Sequence, residues 1–168
     1  TLHGLKTEIK PILGNVQQTH RLQVIMQSFG IQSVYHAAAH KHVPMIERNM
    51  IEGVRNNVFG SWHAAEAAMR AKVDCFVLLS SDQAMRPGNI MAMTKRISEL
   101  VLKGLSTAQS DTRFCVVRFG SVLDTFNAVV PQFKQQIQAG GPVKVTHPEV
   151  CRSLVTAAEA ARLVIQAG

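Results

Sequence analysis

The sequence predicts an α/β fold, a parallel sheet with helices on both faces. Short apolar runs rich in β-branched residues recur along the chain, and segments of helical period lie between them. A glycine and proline cluster, Gly140-Gly141-Pro142, marks one of the joins. Parallel strands need this alternation, because the chain must be carried back over the sheet before the next strand can pair.

Five runs read as short buried strands: residues 9–13, 33–38, 74–80, 113–119 and 142–146. Between them, residues 21–29 place Leu22, Ile25, Met26 and Phe29 at helical spacing. Residues 50–72 form a long Ala-rich helix, and residues 91–108 carry Ile97, Leu100, Val101 and Leu105 on one face. Residues 129–139 and 156–167 complete the set, with Gly140-Gly141-Pro142 as a stop before the last strand. No internal repeat, low-complexity tract or linker divides the chain, so residues 1–168 read as a single domain.

Composition narrows the function classes. The chain has 168 residues, is 46% hydrophobic and has a mean hydropathy of +0.07, which suits a packed core and excludes disorder. Its apolar runs are too short to span a membrane, and Thr1-Leu2-His3-Gly4-Leu5-Lys6 lacks the apolar stretch of a leader peptide. A start on Thr1 suits a piece of a longer protein. The three cysteines, Cys75, Cys115 and Cys151, are scattered and of odd number, which fits a reducing cytoplasm better than a disulfide framework. Net charge is +7, but the basic residues are dispersed and only 5% of residues are aromatic, which argues against nucleic acid and for an acidic small molecule.

The segment Val34-Tyr35-His36-Ala37-Ala38-Ala39-His40-Lys41-His42-Val43-Pro44 carries the sharpest signal. An apolar strand ends in three alanines, which let backbone approach a ligand, and then in a cationic loop that favours an anion. No G-x-G-x-x-G occurs, and no early strand ends in an acidic residue for an adenosine ribose. The chain therefore reads as starting after the first two strands of a dinucleotide-binding fold. His36, His40 and His42 form H-x-x-x-H-x-H, which is not a zinc spacing and has no cysteine near it, so no metal is expected. The methionines and Trp62 read as packing residues.

Together with His36–Pro44, six further pieces resemble the nucleotide-sugar 4,6-dehydratases of bacterial polysaccharide biosynthesis, within the extended short-chain dehydrogenase/reductase group. They are Val54-Arg55-Asn56-Asn57-Val58-Phe59-Gly60, Ser80-Ser81-Asp82, Arg86-Pro87, Met91-Ala92-Met93-Thr94-Lys95-Arg96, Val117-Arg118-Phe119-Gly120, and Gly140-Gly141-Pro142-Val143 with Thr146-His147-Pro148-Glu149-Val150. The resemblance implies a partial Rossmann-like (NAD(P)-binding) sheet and NAD or NADP as cofactor. It implies a UDP-sugar, UDP-N-acetylglucosamine, as substrate. A cytoplasmic site, membrane-anchored full-length relatives and homo-oligomers also go with such enzymes. In them the sugar C4 hydroxyl is oxidised, water is lost across C5 and C6, and the cofactor ends unchanged.

The family's Thr-Asp-Lys acid/base pattern falls on Ser81, Asp82 and Gln83. Ser81 keeps a hydroxyl and Asp82 the carboxyl expected to act as the acid. Gln83 does not keep the amine, and a carboxamide cannot serve as a base near neutral pH. The reductase Tyr-x-x-x-Lys falls on Met91 and Lys95, four residues apart on one helix face. Met at this place looks like the long, membrane-anchored branch of the dehydratases. Lys95 is then expected to hold the nicotinamide ribose and to set positive potential near the C4 oxygen.

The resemblance also implies Asn15 and Val16 at adenine, Ala37, Ala38 and Ala39 along the cofactor diphosphate, and Asn57 on the helix supporting the site. Lys41 is expected beside the substrate, Ser121 stands where an Asn is usual, and Arg152 is expected on the UDP diphosphate, which a guanidinium fork suits. Ser153 replaces an aromatic, and Asp124-Thr125-Phe126-Asn127 replaces a Gly/Ser-rich loop. Two other functions fit part of the pattern. A truncated, inactive relative would bind only nucleotide or a protein partner. A UDP-sugar epimerase or reductase would need C4 oxidation alone, but would want a Tyr at Met91.

Overall fold

A computed structural model of the chain describes residues 8–109, 111–123, 129–145 and 147–168. Three strands, β1 (Ser33–His36), β2 (Cys75–Ser81) and β3 (Arg113–Phe119), form a sheet in the order β1-β2-β3, every pair parallel. Ser33 sits opposite Cys75, and Cys75 opposite Arg113, so the strands begin level and their carboxyl ends share one edge.

Alternation along β2 divides the core. Phe76 and Leu78 point to one face, where α1 (Thr19–Ser28), α4 (Gly60–Arg70) and α5 (Ile90–Ala108) bury Met26, Ala64, Ala65, Ala68 and Leu102 around them. Cys75 and Val77 point to the other face, against Val164 of α7 (Ala157–Ala167). Phe76, Val77 and Leu78 are 1% exposed or less, so each contributes roughly 1.5–3 kcal/mol of burial and none can be polar. Side chains cap two of the helices. The side-chain oxygen of Asn89 accepts from Ala92 N ahead of α5, and Thr156 with Glu159 makes a capping box at α7.

The structure corrects three expectations. Residues 9–13 are not a strand: Pro11 has no N–H to donate, and the segment pairs with no strand among the described residues. It is tied down instead by Arg21, whose Nη2 donates to Leu13 O at 2.8 Å. Residues 142–145 are not a strand either. Val145 is exposed, and Lys144 N donates to the Gln136 side chain on α6 (Val129–Gln138) rather than to a neighbouring strand; Thr146 lies outside the described residues. The expected helix over residues 50–72 is interrupted. It comprises α3 (Met50–Val54), a π-helical turn (Arg55–Phe59) and α4, preceded by the short α2 (Val43–Arg48). Asn57 O at the π turn accepts from the hydroxyls of Ser61 and Ser98, at 2.6 and 2.9 Å, which supports its departure from the regular ladder.

A second, two-stranded parallel sheet was not foreseen. β4 (Ser121–Val122) pairs with β5 (Leu154–Val155). Gly120 permits it, since a Cβ there would collide with the Ser153 backbone.

Candidate active site

The carboxyl ends of parallel strands frame a crevice in α/β folds, and here they frame a cavity of about 340 Å³. Its walls include Ala37 and Ala39 after β1, Lys41 from the following loop, and Ser81 and Gln83 at the end of β2. Met91 and Lys95 come from α5, Ser121 from β4 and Arg152 from the approach to β5. Nine of the residues singled out by sequence thus meet in one place. The 3₁₀ turn Asp82–Met85 brings Gln83 to the wall, while Asp82 lies just outside it, its Oδ1 accepting from Gln83 N at 2.8 Å and from the Ser81 hydroxyl at 3.0 Å. A larger groove of about 430 Å³ lies beside Met45, Ile46 and Asn49 and shares Ala39 and Lys41, but it contains none of the strand ends.

Lys95 is the best-defined polar group of the cavity. Its Nζ donates to Leu79 O at 2.9 Å, which holds the amine at the end of β2. Burial pulls its pKa below the ordinary lysine value, and Glu99 one turn later opposes that shift.

Asn57 lies one layer behind. Its side chain is buried and brackets His40, accepting from His40 N at 2.7 Å and donating to His40 O at 2.9 Å. The same amide donates to Thr94 Oγ1 at 3.0 Å, joining the alanine loop to α5. His36 closes the cluster. Ser61 gives its proton to Asn57 O, so His36 Nε2, 3.1 Å from the Ser61 oxygen, is assigned the proton and Nδ1 is bare. Burial, with Lys95 nearby, lowers the His36 pKa to about 4, so the ring is neutral at physiological pH.

The sequence reading did not single out the buried Glu99. Ser80 donates to its Oε1 at 2.6 Å, Arg118 Nε to the same oxygen at 2.8 Å, and Arg96 to Oε2 at 3.0 Å; Arg118 Nη2 also reaches Oε2. Burial raises the carboxyl pKa, but the bonds from Arg118, Ser80 and Arg96 outweigh it and hold the group below its usual value. The signal was present: Met91, Lys95 and Glu99 recur every four residues, a single stripe on α5. Its partners, the buried Ser80 and the exposed Arg118, are paired across β2 and β3, which only the register shows.

Of the other expected residues, Ala38 is exposed beside the cavity without lining it. Asn15 and Val16 stand apart on the segment before α1, where Val16 packs near the Gly60 backbone and Asn15 Oδ1 accepts from Gln17 N. Residues 124–127 lie outside the described residues. No group of three His, Cys, Asp or Glu among the described residues is placed to hold a metal ion, and no helix among them is long and apolar enough to cross a membrane.

A protein named capsular polysaccharide biosynthesis protein CapD, from Staphylococcus aureus, is 48% identical over 166 residues, covering 99% of this chain and 28% of that protein. A probable polysaccharide biosynthesis protein EpsC of Bacillus subtilis is 44% identical, covering all of this chain and 30% of its own length. The chain thus spans under a third of these relatives. A UDP-glucose 4-epimerase of Rickettsia canadensis is 32% identical over 162 residues, 95% of this chain and 47% of that one.

Among solved structures, Pen from Bacillus thuringiensis superposes with a TM-score of 0.85 at 34% identity, covering 93% of this chain and 48% of that one. The dTDP-glucose 4,6-dehydratase DesIV of Streptomyces venezuelae, solved with NAD and TYD, superposes with a TM-score of 0.80 over 92% of this chain and 53% of that one. At 19% identity it shows the shared Rossmann-type fold alone. All of residues 1–168 match the family described as polysaccharide biosynthesis protein, and the chain belongs to that family.

Proposed function

We propose that the cavity is the sugar and nicotinamide end of a nucleotide-sugar site. The protein carrying this chain would then use NAD or NADP in the 4,6-dehydration of a UDP-sugar, UDP-N-acetylglucosamine first among them. The observation that carries this reading is Lys95: a half-buried amine fixed on Leu79 O, facing a crevice whose other charged walls are Lys41 and Arg152. No carboxylate is among the described residues lining that crevice, so an anionic diphosphate meets only cations there. The family's role in polysaccharide biosynthesis supports it.

The residues present fit a nicotinamide dinucleotide. Small alanines at the end of β1 leave room for a diphosphate, and the Lys95 amine suits a ribose hydroxyl. Bound there, such a cofactor supplies reversible oxidation of the sugar C4 carbinol. The chain's own residues then act on the rest of the sugar. Lys95 holds positive potential at the C4 oxygen, Arg152 and Lys41 fix the diphosphate, and Asp82 delivers a proton to the leaving C6 hydroxyl. The C5 proton lost in the same elimination passes to water, because Gln83 offers no base. Met91 packs against the sugar and offers no proton. Asn15 and Val16 are assigned to the adenine end, and Ser121 to the substrate. Such a site works in the cytoplasm, where nucleotide sugars are made.

Calorimetric titration with UDP-N-acetylglucosamine, with and without NAD, tests the assignment. Saturable heat that vanishes in K95M supports it, and a folded chain silent to both ligands overturns it.

One observation favours a second reading, an inactive relative that binds nucleotide. Gln83 lines the cavity where the family's amine belongs, and its carboxamide cannot take the C5 proton. Gln83→Lys in the full-length protein is expected to raise dehydration by orders of magnitude. Product formation equal to that of the parent would sink the base assignment.

A further inference from the structure

We propose that Glu99 is a positioning residue of the site: by holding Ser80, Arg118 and Arg96 at once it pins the ends of β2 and β3 to α5, and so decides where the Lys95 amine sits. Ser80 and Arg118 are opposite each other in the sheet, and both bond to Glu99 Oε1. The acid is therefore a strut across the seam between the two strands. Residues that line the cavity follow immediately on each strand: Ser81 after Ser80, and Phe119, Gly120 and Ser121 after Arg118.

The link to Lys95 is short. Its only hydrogen-bond acceptor among the described residues is Leu79 O, in the peptide unit that joins Leu79 to Ser80. A strand end that shifted at Ser80 would move that carbonyl with it. Glu99 and Lys95 are four residues apart on one helix, so the same carboxylate also faces the amine electrostatically. The titratable and charged groups around Lys95 are His36 from β1, Glu99 from α5, Arg118 from β3 behind Glu99, and Lys41 and Arg152 on the cavity wall. Glu99 is the anion of that set that acts on the amine, and Arg96 beside it and Asp82 at the cavity's edge complete the charged surround.

A purely structural ion pair would stabilise the fold without touching Lys95, and the two roles separate experimentally. The full chain is labelled with ¹³C at lysine Cε, and K95M identifies the Lys95 signal. E99Q keeps the side-chain volume and loses the charge, while S80A removes only the strut's bond to β2. The expected result is a Lys95 signal displaced in both variants, the more so in E99Q, with its titration midpoint moved to lower pH than in the parent. The signals of distant Lys10, Lys72 and Lys144 stay in place.

A Lys95 signal unmoved in folded E99Q overturns the proposal. Should E99Q not fold, an unmoved signal in S80A does the same. The catalytic consequence rests on the nucleotide-sugar reading of the cavity, but the placement of the amine does not. A parent chain silent to UDP-N-acetylglucosamine, with Lys95 still displaced in E99Q, would discard that reading and keep Glu99 as the strut.

Discussion

The two walls of the cavity are built on different physical terms. The wall at the ends of β2 and α5 is backed by a buried, cross-linked layer: Asn57, Thr94, Ser98 and Glu99 are at most 5% exposed, and each polar side chain has a named partner. The wall made by β4, β5 and α6 is open. α6 buries no residue, β5 has none fully buried, and Arg152 stands exposed at its edge. On the proposed function, the contrast separates two tasks. A group that must meet a reacting carbon needs a rigid surround, whereas a group that meets a solvated diphosphate can be displayed from a loop.

Perturbing each wall should show the difference, and the largest effect belongs to the buried one. E99A deletes the only anion among Arg96, Arg118 and Ser80. It is expected to destabilise the chain by about 3 kcal/mol, read as a lower urea midpoint, because the buried Ser80 hydroxyl and two partly exposed guanidiniums lose their charged partner. N57A should follow at about 2–3 kcal/mol, since His40 N–H, His40 C=O and Thr94 lose a shared partner in a dry site. Replacing Asn57 with no loss of midpoint would show that the bracket on His40 is dispensable.

Acid sharpens the same comparison. His36 titrates near 4 in the fold and at 6.5 when unfolded, so the unfolded chain binds the extra proton between those values. Stability is therefore full above pH 6.5 and declines as pH falls towards 4, by about 3 kcal/mol from this ring. H36F should flatten the decline in that window, and an unchanged slope would shift the cause to other groups. The open wall should respond least in stability. R152A is expected to change the urea midpoint by less than about 0.5 kcal/mol while weakening UDP-N-acetylglucosamine binding roughly tenfold. An equal loss in both measurements would mean that Arg152 is structural.

Much of this was legible in the order of residues. β1, β2, β3, α1, α5 and α7 follow from runs of β-branched residues and from apolar residues at helical spacing, both local signals set by backbone geometry. The cavity was legible too, because residues at the carboxyl ends of parallel strands must converge once the strands are level. Tertiary structure alone decided the rest. Residues 9–13 have the composition of a strand, but pairing needs a neighbour with free backbone groups, which composition does not supply. The π turn at Asn57 depends on hydroxyls arriving from α4 and from α5, the second 41 residues away in sequence. The Glu99 strut exists because the register sets Ser80 against Arg118, and register is a property of two strands together, written in neither one alone.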